Sequence, residues 1–306
     1  MIWNHEDLWK KTQLYYSRAF ENERESEAFP FWASLGLELL GRSTLAFIHP
    51  SLLADPQSGD NILYACGFST TKAPKSVPVK TVFNRCSVIV PEFTEDEFKH
   101  VTMMMEKRNE ELHSGELSFF NFPLNSWFPE FIRITNMLVT FQGKSLDELL
   151  GEEEADTASQ VIQAINDKKQ KEVFNIIKKA KEQFELLSLG EQEKNIEVGI
   201  KWAERHVYSS VKLTDCPSCG SRAVIKGDVV RYLQPKASDE YIIEKSIILP
   251  TSLQCQSCKL HIDGHSLLHA AGFGDQFTIE EEHEPKDYYD IHFDPMDYYE
   301  PDYGND

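Results

Sequence analysis

Two Cys-x-x-Cys pairs constrain this chain more than any other feature: Cys216-Pro217-Ser218-Cys219 and Cys255-Gln256-Ser257-Cys258. Each pair places two thiols on one tight turn, and two such turns supply the four sulfurs of a tetrahedral Zn²⁺. The 35 residues between the pairs must leave one point and return to it. Two or three antiparallel strands accomplish that, and residues 223–225, 229–232 and 241–249 are β-rich runs broken by Gly, Pro and Ser. Four thiolates close the coordination shell and leave no position for an activated water, so the expected metal is structural. Gly220 after Cys219 lets backbone amides turn toward sulfur, whereas the second pair has Lys259 at the equivalent place. His261, His265 and His269 recur every four residues; they read as ordinary surface or core histidines, with metal ligation as the alternative.

The remaining cysteines, Cys66 and Cys86, stand in unrelated contexts, and in a reducing compartment that arrangement favours metal over a disulfide framework. No apolar run approaches the roughly 20 residues that span a bilayer. The best, 31–48, is interrupted by Glu38 and Arg42, and the first residues have neither a basic nor an apolar leader region. The expectation is a cytoplasmic protein with no membrane partner. Its formal charge of −19 argues against simple electrostatic binding to nucleic acid. About half of that charge lies in residues 280–306, where acids alternate with tyrosines, and the body is only mildly acidic. Such a tail reads as solvated chain, with occlusion of an RNA site as the sharper alternative.

Ahead of the cysteines the hydrophobic period is helical. Residues 5–25, 31–48, 82–89 and 125–142 carry apolar stripes, and 56–80 reads as an irregular connection rich in Pro and Gly. Thr94-Glu95-Asp96-Glu97 predicts a capping box opening a helix that ends near Ser114-Gly115. Residues 155–187 form a long Lys- and Glu-rich amphipathic helix, able to pack on the bundle or on a second chain, and 196–208 continues the pattern. The expected class is mainly α: an antiparallel helical bundle over 1–150, a helical linker over 151–211, a small β-rich zinc ribbon over 212–279 and an acidic tail over 280–306. Hydrophobic residues at 41% and nineteen Phe suffice for more than one core.

Arg108-Asn109-Glu110-Glu111-Leu112-His113 lies on the last turns of the helix opened by the capping box. Taken alone, Arg108 and His113 read as surface residues at a charged helix end. In an all-α bundle they resemble the RxxxxH signature of the HEPN superfamily, and 31–55, with Glu38, Arg42 and the ending Leu52-Leu53-Ala54-Asp55, resembles the second helix of those domains. The resemblance covers roughly 5–145. It implies a dimeric, metal-independent endoribonuclease of toxin or antiviral-defence type, with RNA as substrate, a possible protein inhibitor or activator, and a composite site in which Arg108, Asn109 and His113 act while Glu38 orients them. The alternative is a non-catalytic adaptor or regulatory subunit that binds protein or nucleic acid through its zinc ribbon.

The residue types suit that chemistry. Cleavage by a 2′-hydroxyl needs two proton transfers, for which histidine is poised near neutral pH. Arginine offers a permanent planar fork to phosphate. Arg108 and His113 stand about 140° apart on an ideal helix, so helix distortion or a second chain is needed for them to converge. Glu38 and Arg42 are four apart and predict an ion pair. The aromatics Phe119, Phe120, Phe122, Trp127, Phe128 and Phe131 read as core or dimer seam before base-stacking platform. Some HEPN toxins carry a tyrosine two residues after the histidine as a modification site; here that position is Gly115.

Overall fold

The computed structural model describes residues 3–207, 210–238 and 240–289. The chain is mainly α. It folds as two compact units, Met1–Lys169 and Gln170–Asp306. The division lies inside a long helix, beyond residue 150, because the first turns of that helix still bury Ala155 and Ala158 in the core of the first unit.

The first unit is helical: α1 (His5–Phe20), α2 (Ala28–Ile48), a 3₁₀ turn (Pro50–Leu53), α3 (Gly59–Ala65), α4 (Val79–Ile89), α5 (Glu95–His113), α6 (Leu124–Phe141), α7 (Leu146–Leu150) and the start of α8 (Glu152–Glu185). Helix α2 is central and buries Phe29, Ala33, Leu37, Leu40 and Leu45 along its length. Each such large aliphatic or aromatic side chain contributes about 1.5–3 kcal/mol on burial. Tyr16 on α1 is fully buried against α6, its hydroxyl 2.8 Å from Thr135 Oγ1, and burial pushes its pKa up. Gly41 lets α4 approach α2 closely, since a Cβ there would lie 2.8 Å from the Phe83 ring. Burial pushes the Cys86 thiol up to about 12, so it remains protonated and unreactive.

The capping box at the start of α5 forms and does more than cap. Glu97 accepts from Thr94 N at 2.6 Å and from Thr94 Oγ1, and its other oxygen pairs with Arg133 on α6. Arg133 Nε also bonds Glu130 at 2.6 Å. One carboxylate that is almost wholly buried therefore starts α5 and ties it to α6. Helix α5 ends at an extended Ser114 that donates back to Glu110, so the stop does not use a left-handed Gly115.

The second unit contains the rest of α8, then α9 (Leu189–Arg205), a six-stranded antiparallel sheet and two short helices, α10 (His265–Ala270) and α11 (Pro285–Tyr288). The strands are β1 (Val211–Asp215), β2 (Arg222–Tyr232), β3 (Lys236–Ala237), β4 (Ile242–Gln254), β5 (His261–Asp263) and β6 (Phe277–His283). Strand β4 is the organiser, pairing with β2, β3, β5 and β6. Val173, Ala180 and Phe184 of α8 pack with Ala223, Ile225, Leu253 and Ile262 in this unit's core.

Several boundaries differ from the sequence expectation, among them the start of α9, which lies at Leu189 and not at 196. Helix α1 stops at Phe20, and the connection over 56–80 contains the seven-residue α3. The acidic segment from Glu280 is not all tail: Glu280, Glu281 and Glu282 belong to β6, where Lys245 pairs with Glu280 across the sheet. Residues 290–306 of the expected tail lie outside the described residues.

Candidate functional site

The two polar interruptions of the apolar α2 stripe explain themselves in three dimensions. Glu38 Oε1 accepts from Arg42 Nε at 2.9 Å and Nη2 at 2.8 Å, and Glu38 Oε2 accepts from Arg108 Nη1 of α5. Arg42 also reaches Ser76 Oγ and the Val77 carbonyl, each at 3.2 Å. Arg108 donates through Nε and Nη2 to Asn109 Oδ1 at 3.3 and 2.9 Å. Three charged side chains from two helices are thereby held at a half-buried or buried locus, with Asn109 as neutral acceptor.

Electrostatics follow from the count of charges. Burial pushes the Glu38 carboxyl up, but the charges and hydrogen bonds of Arg42 and Arg108 outweigh it and hold the pKa below the usual carboxylate range. Glu38 is therefore ionised at neutral pH. Two guanidinium ions against one carboxylate leave the hydrogen-bonded cluster with one unbalanced positive charge. An anion that can turn two oxygens toward a planar guanidinium, a phosphate or a carboxylate, is the ligand such a site favours.

Of the sequence-predicted residues, the structure brings Glu38, Arg108 and Asn109 together and leaves His113 apart. Arg108 is 8% exposed, whereas His113 is exposed at the final residue of α5 and makes no hydrogen bond or ion pair among the described residues. The helix is regular to its end, so within one chain Arg108 faces α2 and His113 faces outward. Arg42, the Ser76 hydroxyl and the Val77 carbonyl complete the cluster. Arg42 was recognisable as a helix neighbour of Glu38, but the 76–77 contact was not, because it comes from a segment without a periodic pattern.

The aromatics after α5 are mainly packing. Phe119, Trp127, Phe128 and Phe131 are buried, Trp127 and Phe131 with ring centroids 5.5 Å apart, while Phe120 is 59% exposed.

The four cysteines of the Cys-x-x-Cys pairs converge. Their sulfurs all lie within 4.8 Å of one another, with Cys216 Sγ 3.5 Å from Cys258 Sγ and Cys219 Sγ 3.6 Å from Cys255 Sγ. Four sulfurs each about 2.3 Å from one ion stand roughly 3.8 Å apart in a tetrahedron, and a disulfide needs about 2.05 Å. The spacing fits a shared metal ion and not a disulfide pair.

The two turns are built alike. Cys216 N donates to Ser221 O at 2.7 Å and Cys255 N donates to Leu260 O at 2.9 Å. The residue after each second cysteine is left-handed, Gly220 at φ 73° and Lys259 at φ 61°. The two are stitched together by Ser257 Oγ donating to Ser221 Oγ at 2.8 Å. The ends of β2 and β4 set the turns side by side, with Val224 opposite Gln254 in the ladder. Among the described residues no histidine joins the sulfurs: His265 Nδ1 is 3.1 Å from the Pro250 carbonyl, and its ring neighbours His269.

No helix among the described residues is long and apolar enough to cross a membrane. Compared with family models, curated proteins and solved structures, the chain matches none of them.

Proposed function

We propose that the helical unit is a metal-independent endoribonuclease of HEPN type, acting on RNA as a homodimer, and that the four-thiol site holds a structural Zn²⁺. The observation that carries the first part is the Arg42–Glu38–Arg108 cluster with its unbalanced positive charge, to which α5 brings Arg108 and Asn109 before it ends at an unencumbered His113. Arg108 and Asn109 would hold the scissile phosphate. His113 would take the proton of the 2′-hydroxyl and, with its copy in the second chain, return one to the leaving 5′-oxygen. Two chains supply the convergence that a straight α5 denies to one. Products would be a 2′,3′-cyclic phosphate and a 5′-hydroxyl. A role in toxin or antiviral-defence systems, under a protein inhibitor or activator, follows from the resemblance alone.

One observation favours a second reading, a non-catalytic adaptor: Arg108 is buried, and Glu38 and Asn109 already take up most of its hydrogen-bonding capacity, as in a purely structural arginine. Incubation of the purified chain with mixed-sequence RNA in Mg²⁺-free buffer separates the two. The ribonuclease reading expects cyclic-phosphate products and a loss of at least about 100-fold in rate for His113→Ala and for Arg108→Ala, with helicity retained. A wild-type chain that leaves RNA intact would favour the adaptor, and variants that cut as fast as it does would remove Arg108 and His113 from the mechanism.

For the metal, four clustered sulfurs with no fifth donor among the described residues match the closed shell of structural zinc.

A further inference from the structure

Between α4 and α5 lies a cavity of about 210 Å³ that the Arg42–Glu38–Arg108 cluster does not use. Its apolar side is formed by Phe83, Val101 and Met105, all buried. Phe83 is fixed: it stacks on Phe93 with centroids 6.0 Å apart, and Gly41 supports its edge. An apolar cavity of roughly 150 Å³ accepts a benzene ring, so this one accommodates a single planar heterocycle and little more.

The polar side discriminates among heterocycles. Lys80, Glu106 and Asn109 border the cavity, and the last two are three residues apart on one face of α5. Lys80 and Glu106 make no hydrogen bond or ion pair among the described residues, so a cation and a carboxylate are both uncommitted. The Oδ1 of Asn109 is taken by Arg108, which leaves its Nδ2 amide as a donor. A carboxylate beside two donors matches guanine, whose Watson–Crick edge offers adjacent N1–H and N2–H donors to the carboxylate and an O6 acceptor to an ammonium or amide. Adenine sets its N1 lone pair against the carboxylate. Cytosine and uracil offer one donor group beside an acceptor.

We infer that this cavity is a guanine subsite. Asn109 borders both it and Arg108, so the base and the phosphate of one nucleotide would meet adjoining groups. The consequence, cleavage next to guanosine, rests on the ribonuclease reading above, whereas binding of the base does not.

Calorimetric titration of the full chain with the four nucleoside 3′-monophosphates tests the subsite directly. Guanylate should bind about tenfold more tightly than the others, at the low end of what a two-point contact to a base edge supplies. Glu106→Gln, an exposed and fold-neutral change, should abolish the preference, and Thr102→Trp, which fills the cavity, should abolish guanylate binding. Equal binding of all four nucleotides, binding of none, or a preference that survives Glu106→Gln would overturn the inference. Mapping of cleaved RNA ends keeps the two readings apart. Selective guanylate binding without cleavage upholds the subsite and removes the nuclease; His113-dependent cleavage without base preference or guanylate binding does the reverse.

Discussion

Glu38 is the residue on which the helical unit's charge balance turns. It neutralises Arg42 from its own helix and Arg108 from α5, and both guanidinium groups are largely withdrawn from water. Removing one partner from a buried ion cluster leaves uncompensated charge and costs about 3–5 kcal/mol. The pH dependence has a definite sign. The carboxyl's pKa in the folded chain is below its ordinary value of 4.5, so its stabilisation is fully present above that value and is lost as pH falls through the lower folded pKa. Glu38→Gln should therefore unfold more easily at pH 7 and show a shallower acid limb below about pH 4.5. Thermal unfolding of both proteins from about pH 7 to about pH 3 checks this, and parallel curves would mean that Glu38 carries no linked proton. The i,i+4 spacing of Glu38 and Arg42 was enough to expect their pair. That Arg108 joins it is a contact 70 residues distant in sequence, and only the family resemblance hinted at it. The left-handed Lys259 was not legible, because a β-carbon is unfavourable there and glycine is the usual signal.

Elements were most legible where side-chain chemistry and period agreed, as at the Thr94–Glu97 start of α5 and along α2, α6 and α8. They were least legible where backbone irregularity broke a pattern. Strand β2 appeared as two fragments because Gly227 sits at a register shift, and β4 was cut short because Pro250 faces that same shift. Strand β6 was obscured by its glutamates, although half-buried Phe277 and Ile279 alternate with exposed Thr278 and Glu280 as in an edge strand with one packed face. Helix α9 gives the clearest test of an element-level contact. Gly199 lies in its interior, where alanine is better by about 1 kcal/mol in an isolated helix. Yet a Cβ at that position would stand 2.0 Å from Ser257 Oγ and 2.9 Å from Ser257 N, against the second cysteine turn. Gly199→Ala must push α9 away from that turn or displace the turn itself, so it should destabilise the second unit by about 1–3 kcal/mol despite its gain in propensity. Chemical denaturation of the metal-loaded protein, followed by Trp202 fluorescence, measures the sign. A gain in stability would show that α9 does not press on the turn.

At the scale of the whole chain, the two units differ in what holds them. The first has a large core built from Tyr16, Phe29, Leu37, Leu40, Phe83, Met104, Trp127, Phe131 and their neighbours. In the second, Cys216, Cys255 and Cys258 are themselves core members, packed with Ala223, Leu253, Leu260 and Ile262. A metal there ties the ends of β2 and β4 together, and binding energy at such a site is folding energy. Without an ion, four thiols within 4.8 Å of one another in an apolar setting cannot all ionise, and the two turns lose their common partner. Removal of the metal should then melt the sheet over 211–283 and leave the helices of the first unit folded. Calorimetry should show two transitions in the loaded protein, of which only the one belonging to the second unit falls on treatment with a strong chelator. Cys255→Ser should reproduce that loss without chelator, and readdition of Zn²⁺ should restore the transition in the wild-type chain but not in the variant. RNA cleavage by the chelated protein gives the functional counterpart: on the proposed ribonuclease reading, cleavage through Arg108 and His113 would need only the first unit's fold and should persist, whereas loss of both transitions together would show that the helical unit depends on the metal for its structure.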